Sequence, residues 1–120
     1  MSLILYGIPA CDTVKKARTF LDTQGVAYTF HDYKKLGVPA DRLAAWVAAV
    51  GWEPLVNRQG TTWRKLDEAT KAGVVDAASA QALMLSQASV IKRPVFEFKG
   101  QVLAVGFDPA KGEAVLQGLR

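Results

Sequence analysis

The stretch SLILYGIPACDTVKKARTFLDTQGVAYTFH, residues 2–31, decides how the chain is read. Ser2 to Tyr6 is short, apolar and closed by Gly7 and Pro9, which predicts a buried strand. Val14, Ala17, Phe20 and Leu21 then fall on one side of a helical wheel, with Lys15, Lys16, Arg18 and Asp22 elsewhere. Residues 12–24 are therefore expected to form an amphipathic helix, stopped by Gly25. Val26 to His31 alternates, with β-branched and aromatic residues, and predicts a second strand. Strand, helix and strand in so short a span make a βαβ unit, with parallel strands and a right-handed crossover.

The rest of the chain completes a sheet around that unit. After a break at Leu36-Gly37-Val38-Pro39, Leu43, Trp46, Val47 and Val50 recur at helical spacing up to Gly51. Asn57-Arg58-Gln59-Gly60 reads as a polar loop. Thr61 or Thr62 is then expected to cap a short helix carrying Trp63, Leu66 and Ala69 and ending at Gly73. Asp76 is the expected cap of another helix, with Ala80, Leu83 and Met84 inward. Val95 to Phe98 and Gln101 to Val105 flank Lys99-Gly100, a hairpin signal. Asp108-Pro109 opens a last helix with Ala114, Val115 and Leu119 inside. The order β-α-β, helical insertion at about residues 36–90, then β-β-α, is the thioredoxin-like arrangement: an α/β fold with a four-stranded mixed sheet. It is read here as one domain over residues 1–120.

Composition narrows the function classes. The 120 residues are 50% hydrophobic and 22% charged, enough apolar content for a packed core and too much for disorder. The formal net charge of +4 is spread along the chain, and no basic run points to nucleic acid or a membrane surface. One cysteine and one histidine make neither a disulfide nor a His/Cys metal cluster, so no metal and no bound cofactor are expected. Leu3-Ile4-Leu5-Tyr6 is too short for a signal core or a membrane span. The expected setting is a reducing cytoplasm.

Cys11 is the residue on which chemistry would turn. It lies between a strand and a helix start, where unpaired backbone N–H groups and the helix dipole favour a thiolate. Lys15, one turn on, would help, and Asp12 would oppose. The other reading is a buried structural thiol. The position of a resolving cysteine, in Cys11-Asp12-Thr13-Val14, is filled by Val14, so any adduct needs an external thiol such as glutathione or a protein. The Thr13 hydroxyl is a candidate donor to the sulfur or to a bound oxyanion, or simply a helix-start cap. Pro94 belongs at the beginning of a strand, facing the cysteine's helix in this fold. A cis Arg93–Pro94 bond is the hypothesis there, with Arg93 either supplying charge near Cys11 or solvated beside Lys92. Arg58 is a candidate anion ligand in its loop, with Arg64 and Lys65 nearby. His31 reads as a strand-end residue, and Trp46 and Trp63 as core.

The run Tyr6-Gly7-Ile8-Pro9-Ala10-Cys11-Asp12-Thr13-Val14-Lys15-Lys16-Ala17 resembles the active-site opening of the glutaredoxin-coupled, ArsC-like arsenate reductases. Phe30-His31-Asp32-Tyr33, Gly60-Thr61-Thr62-Trp63-Arg64-Lys65-Leu66 and Ile91-Lys92-Arg93-Pro94-Val95 are similar to a small uncharacterised YffB-like branch of that superfamily. The Spx regulators are cousins. The resemblance implies a thioredoxin-like core and a nucleophilic Cys11. In the arsenate reductases a histidine stands where this chain has Gly7, and three arginines hold the oxyanion. Arg93 matches one and Arg58 falls near another. The third position, in Leu103-Ala104-Val105-Gly106-Phe107, has no arginine. Spx proteins carry a CxxC pair, and Val14 breaks it.

The resemblance and the placement of Cys11 together imply a thiol-dependent reductase coupled to glutathione or a glutaredoxin-like protein, not primarily acting on arsenate. A non-enzymatic Spx-like binding module is the alternative, with Lys15, Lys16 and Arg18 as its contact face. A low-efficiency arsenate reductase is the second.

Overall fold

A computed structural model describes residues 3–120. Its elements run β1 (Leu3–Gly7), α1 (Asp12–Thr23), β2 (Tyr28–Asp32), α2 (Tyr33–Leu36), α3 (Ala40–Val50), α4 (Thr61–Lys65), α5 (Glu68–Ala72), α6 (Ala77–Ser86), β3 (Val95–Phe98), β4 (Gln101–Val105) and α7 (Pro109–Gly118). Short 3-10 turns at Glu53–Leu55 and Ala88–Val90 complete them. The chain divides into two compact units, one up to Gly37 together with Arg93–Arg120, the other Val38–Lys92. Of the first predicted strand, Ser2 lies outside the described residues.

In the discontinuous unit the four strands lie in the order β2-β1-β3-β4. β1 is parallel to β2 and antiparallel to β3, and β3 to β4 is antiparallel. With α1 and α7 this is the thioredoxin-like arrangement. Leu3, Leu5 and Phe96 from the sheet bury against Ala17 and Leu21 of α1 and Val115 of α7. Each fully buried leucine or phenylalanine of this kind stabilises the fold by about 1.5–3 kcal/mol. The β3–β4 turn needs positive φ at both central residues, met by Lys99 at 53° and Gly100 at 76°. Asp108 caps α7 by accepting the Lys111 N–H at 2.8 Å.

Two details of this unit differ from the sequence reading. β2 begins at Tyr28, because Gly25 at φ 68° turns the chain and the Val26 N–H is still bonded to the Leu21 carbonyl. In α7, Ala114 is exposed and Gly112 is buried in its place. A Cβ at Gly112 would come within 2.9 Å of Phe20 and 3.2 Å of Phe107, so only hydrogen fits under those rings.

In the Val38–Lys92 unit, Leu43, Trp46 and Val47 of α3 and Ala80, Leu83 and Met84 of α6 are buried. Asp76 caps α6 through a complete capping box with Ser79. An antiparallel bridge joins Val56 to Ile91, flanked by bonds from Asn57 N–H to the Val90 carbonyl and from Lys92 N–H to the Leu55 carbonyl. The single helix expected over Trp63–Ala69 is two. The chain turns extended at Leu66 and Asp67, and Asp67 caps α5 by accepting from the Thr70 N–H. Gly60, not a threonine, occupies the N-cap of α4, and Trp63 is only half-buried. No helix among the described residues is long and apolar enough to cross a membrane.

Gly7, at the end of β1, faces Val14 in the first turn of α1. A Cβ there would lie 2.8 Å from a Val14 methyl, and Val14 is fully buried and branched. Gly7→Ala should lower stability by about 1–3 kcal/mol in urea denaturation. Combined with Val14→Ala, it should cost less than the sum of the two single changes.

Candidate active site

Gly7-Ile8-Pro9-Ala10 leaves β1 and turns back to deliver Cys11 as the N-cap of α1, with extended φ −80° and ψ 125°. Its carbonyl accepts the first helical bond, from the Lys15 N–H at 3.0 Å, and its own N–H donates to the Ile8 carbonyl at 3.4 Å. An N-cap side chain points at the free N–H groups of the first turn. Here that side chain is a half-buried thiol.

Burial pushes the Cys11 thiol up. The Val14 N–H, the Arg93 guanidinium by hydrogen bond and by charge, and the Thr13 N–H together outweigh it, and the thiol lies below its ordinary value. Thr13 acts on the sulfur through its backbone N–H. Asp12 and Lys15 are exposed. The Arg93–Pro94 bond is cis, as hypothesised, and the Pro94 carbonyl accepts from the Gly106 N–H at 2.8 Å. Arg93, half-buried, is the site arginine that this unit brings to Cys11.

Arg58 belongs to the Val38–Lys92 unit. Its guanidinium lies 5.5 Å from the Trp52 ring centroid and 5.7 Å from that of Trp63, so two indoles fix its direction. Trp63, expected in the core, serves that role instead. Arg64 donates to the Gln59 carbonyl at 2.7 Å and steadies the same loop.

Sequence reading missed a polar cluster on the sheet face opposite α1. The Tyr6 hydroxyl donates to Glu97 Oε1 at 2.8 Å, and both residues are 4% exposed. His31 lies with its ring centroid 4.9 Å from Tyr6 and 5.9 Å from Tyr33, and its Nε2–H donates to the Gly37 carbonyl at 2.9 Å. The buried Tyr33 hydroxyl has no hydrogen-bond partner among the described residues. Burial holds it well above the ordinary tyrosine range; Tyr6 adds to this, Arg93 opposes it and Glu97 adds again. A carboxylate in the run Val95-Phe96-Glu97-Phe98 was the available signal, since an acidic residue in a buried strand demands a partner.

A thiol at a helix N-terminus, an arginine beside it and a cis-proline at the facing strand define a thioredoxin-like protein with a single activated cysteine. The chain matches the ArsC family over residues 6–115 and belongs to it, a family that includes thiol-dependent reductases. It is 36% identical over 112 residues to an uncharacterised protein of Haemophilus influenzae, covering 93% of this chain and 96% of that one. The solved structure of a protein named YffB is 55% identical with a TM-score of 0.88, covering 96% and 99% of the two chains. An arsenate reductase (ArsC) related protein of Brucella melitensis is 53% identical with a TM-score of 0.76, covering 98% and 96%.

The alkylation rate of Cys11 against pH should give an apparent pKa below the ordinary value of about 8.5. Arg93→Gln should raise it by about one unit, the backbone donors remaining. An unchanged profile would remove Arg93 from the site.

Proposed function

We propose that this protein is a thiol-dependent reductase of small disulfides, with Cys11 as the single nucleophile and glutathione or a glutaredoxin-like protein as the resolving thiol. The observation that carries the reading is the half-buried Cys11 thiol at the N-cap of α1, lowered below its ordinary value by the Val14 and Thr13 N–H groups and Arg93. Those groups stabilise a thiolate both as attacking group and as leaving group.

In the first step the Cys11 thiolate attacks a sulfur of a glutathione mixed disulfide. A Cys11–glutathione disulfide forms, and the substrate leaves as a thiolate that takes a proton from water. In the second step a glutathione thiolate attacks that disulfide, oxidised glutathione forms and the Cys11 thiolate returns. The net reaction consumes one mixed disulfide and one free glutathione and yields the substrate thiol and oxidised glutathione, and no bound cofactor is required. Val14 leaves no thiol in the chain to perform the second step. Arg93 lies beside the sulfur and would attract the anionic part of a docked substrate. Arg58, beside two indoles of its own unit, is a candidate ligand for anionic groups, and Lys15 adds exposed positive charge near Cys11. β4, Gln101–Val105, carries no arginine, which argues against arsenate as the main substrate.

Turnover of a glutathione mixed disulfide, followed as oxidised glutathione produced, should fall to the uncatalysed rate in Cys11→Ser. Treatment with oxidised glutathione should add one glutathione to the native chain by intact mass and none to the variant. Full activity in Cys11→Ser would sink the mechanism. Absence of turnover in a chain that still binds proteins independently of Cys11 would favour the Spx-like module. Faster arsenate-dependent consumption of glutathione would restore the arsenate reading.

A further inference from the structure

The buried pair of Tyr6 and Glu97 lies on the face of the sheet that continues to Arg93. Register places Ile4 opposite Glu97 and Tyr6 opposite Val95 and His31, so Tyr6, His31, Val95 and Glu97 share that face. Arg93 stands two residues before Val95, just ahead of β3 and across the cis bond to Pro94. Its guanidinium reaches the Cys11 sulfur, and at the Tyr33 hydroxyl its charge opposes the effect of Tyr6 and Glu97. Arg93 thus has the thiol on one side and the carboxylate's surroundings on the other.

A carboxylate buried to this degree needs a cation, and one tyrosine hydroxyl does not meet that need. A guanidinium carries five donors in a rigid fork, so one edge can face a carboxylate while another faces sulfur. A long arginine side chain without a second anchor samples many rotamers. The titratable and charged groups on this side of the described unit are Tyr6 on β1, His31 on β2, Tyr33 on α2, Arg93, and Glu97 itself on β3.

We propose that Glu97 is a positioning residue for Arg93: its carboxylate, oriented by the Tyr6 hydroxyl, holds the guanidinium toward Cys11 and offsets part of its charge. The consequence for turnover rests on Cys11 being the reacting thiol, as proposed above; the consequence for the thiol's titration does not. Glu97 touches no substrate and acts through Arg93 alone. It sets a compromise, because too much positive charge would stabilise a thiolate at the expense of its nucleophilicity.

The test is the apparent pKa of Cys11 from iodoacetamide alkylation across pH. Glu97→Gln keeps an amide oxygen to accept from Tyr6 and from one edge of the guanidinium, so the arginine stays in place and only the charge is removed. It should lower the apparent pKa by about half a unit and speed alkylation on the acid side about twofold. Tyr6→Phe leaves the carboxylate to Arg93 alone and should shift the titration the opposite way. In an Arg93→Gln background Glu97→Gln should change nothing, a coupling that a merely structural carboxylate would not show. An unmoved or raised titration in Glu97→Gln, or a shift that persists without Arg93, overturns the proposal. If thermal melts show Glu97→Gln unfolded, Tyr6→Phe decides alone, and no rise there overturns it. A normal titration series with no turnover would instead fail the reductase reading and leave this one standing.

Discussion

The packing of Val14 on the bare α-carbon of Gly7 fixes everything that follows at the site. With 2.8 Å between a Val14 methyl and the place of a Gly7 Cβ, no side chain larger than hydrogen fits at the end of β1. That contact brings the first turn of α1 tight against the strand. It thereby aims the Val14 and Thr13 N–H groups at the residue preceding the helix. The histidine that the arsenate reductases carry at the position of Gly7 would not pack on this valine.

What local chemistry determines was legible from sequence. β1, the turn, Cys11 and α1 follow from an apolar run, Gly7 and Pro9, and a helical stripe. The β3–β4 hairpin follows from Lys99-Gly100, and the caps from Asp76 and Asp108. What depends on distant partners was not. Tyr6 and Glu97 are 91 residues apart, and only the β1–β3 register brings them together. Trp63 has helical spacing suited to a core, yet it stands half-buried beside Arg58 because α4 ends two residues after it. Gly112 replaces Ala114 on the inner face of α7 because the Phe20 and Phe107 rings occupy the space, which no periodicity records.

The two faces of the sheet divide the labour. The face toward α1 and α7 is apolar, with Leu3, Leu5, Phe96 and Val115 buried together, and it holds the fold. The other carries Tyr6, His31 and Glu97, whose rings and carboxylate are packed with few degrees of freedom. Buried polar groups cost stability unless each finds a partner, and the Tyr33 hydroxyl finds none among the described residues. Such a cost persists where the arrangement serves a site. The cluster lies next to Arg93, and through it next to the thiol.

One arginine beside a helix N-terminus suits a particular kind of anion. A departing thiolate carries one charge on one atom, and two N–H groups with a guanidinium are enough to surround it. A tetrahedral oxyanion spreads its charge over several oxygens and calls for donors from several directions. In this chain β4 supplies no arginine to answer that need. Under the proposed function, the donor set at Cys11 suits a departing thiolate. The same N–H groups and guanidinium that favour attack by the Cys11 thiolate also favour its departure when an external thiol takes over the adduct.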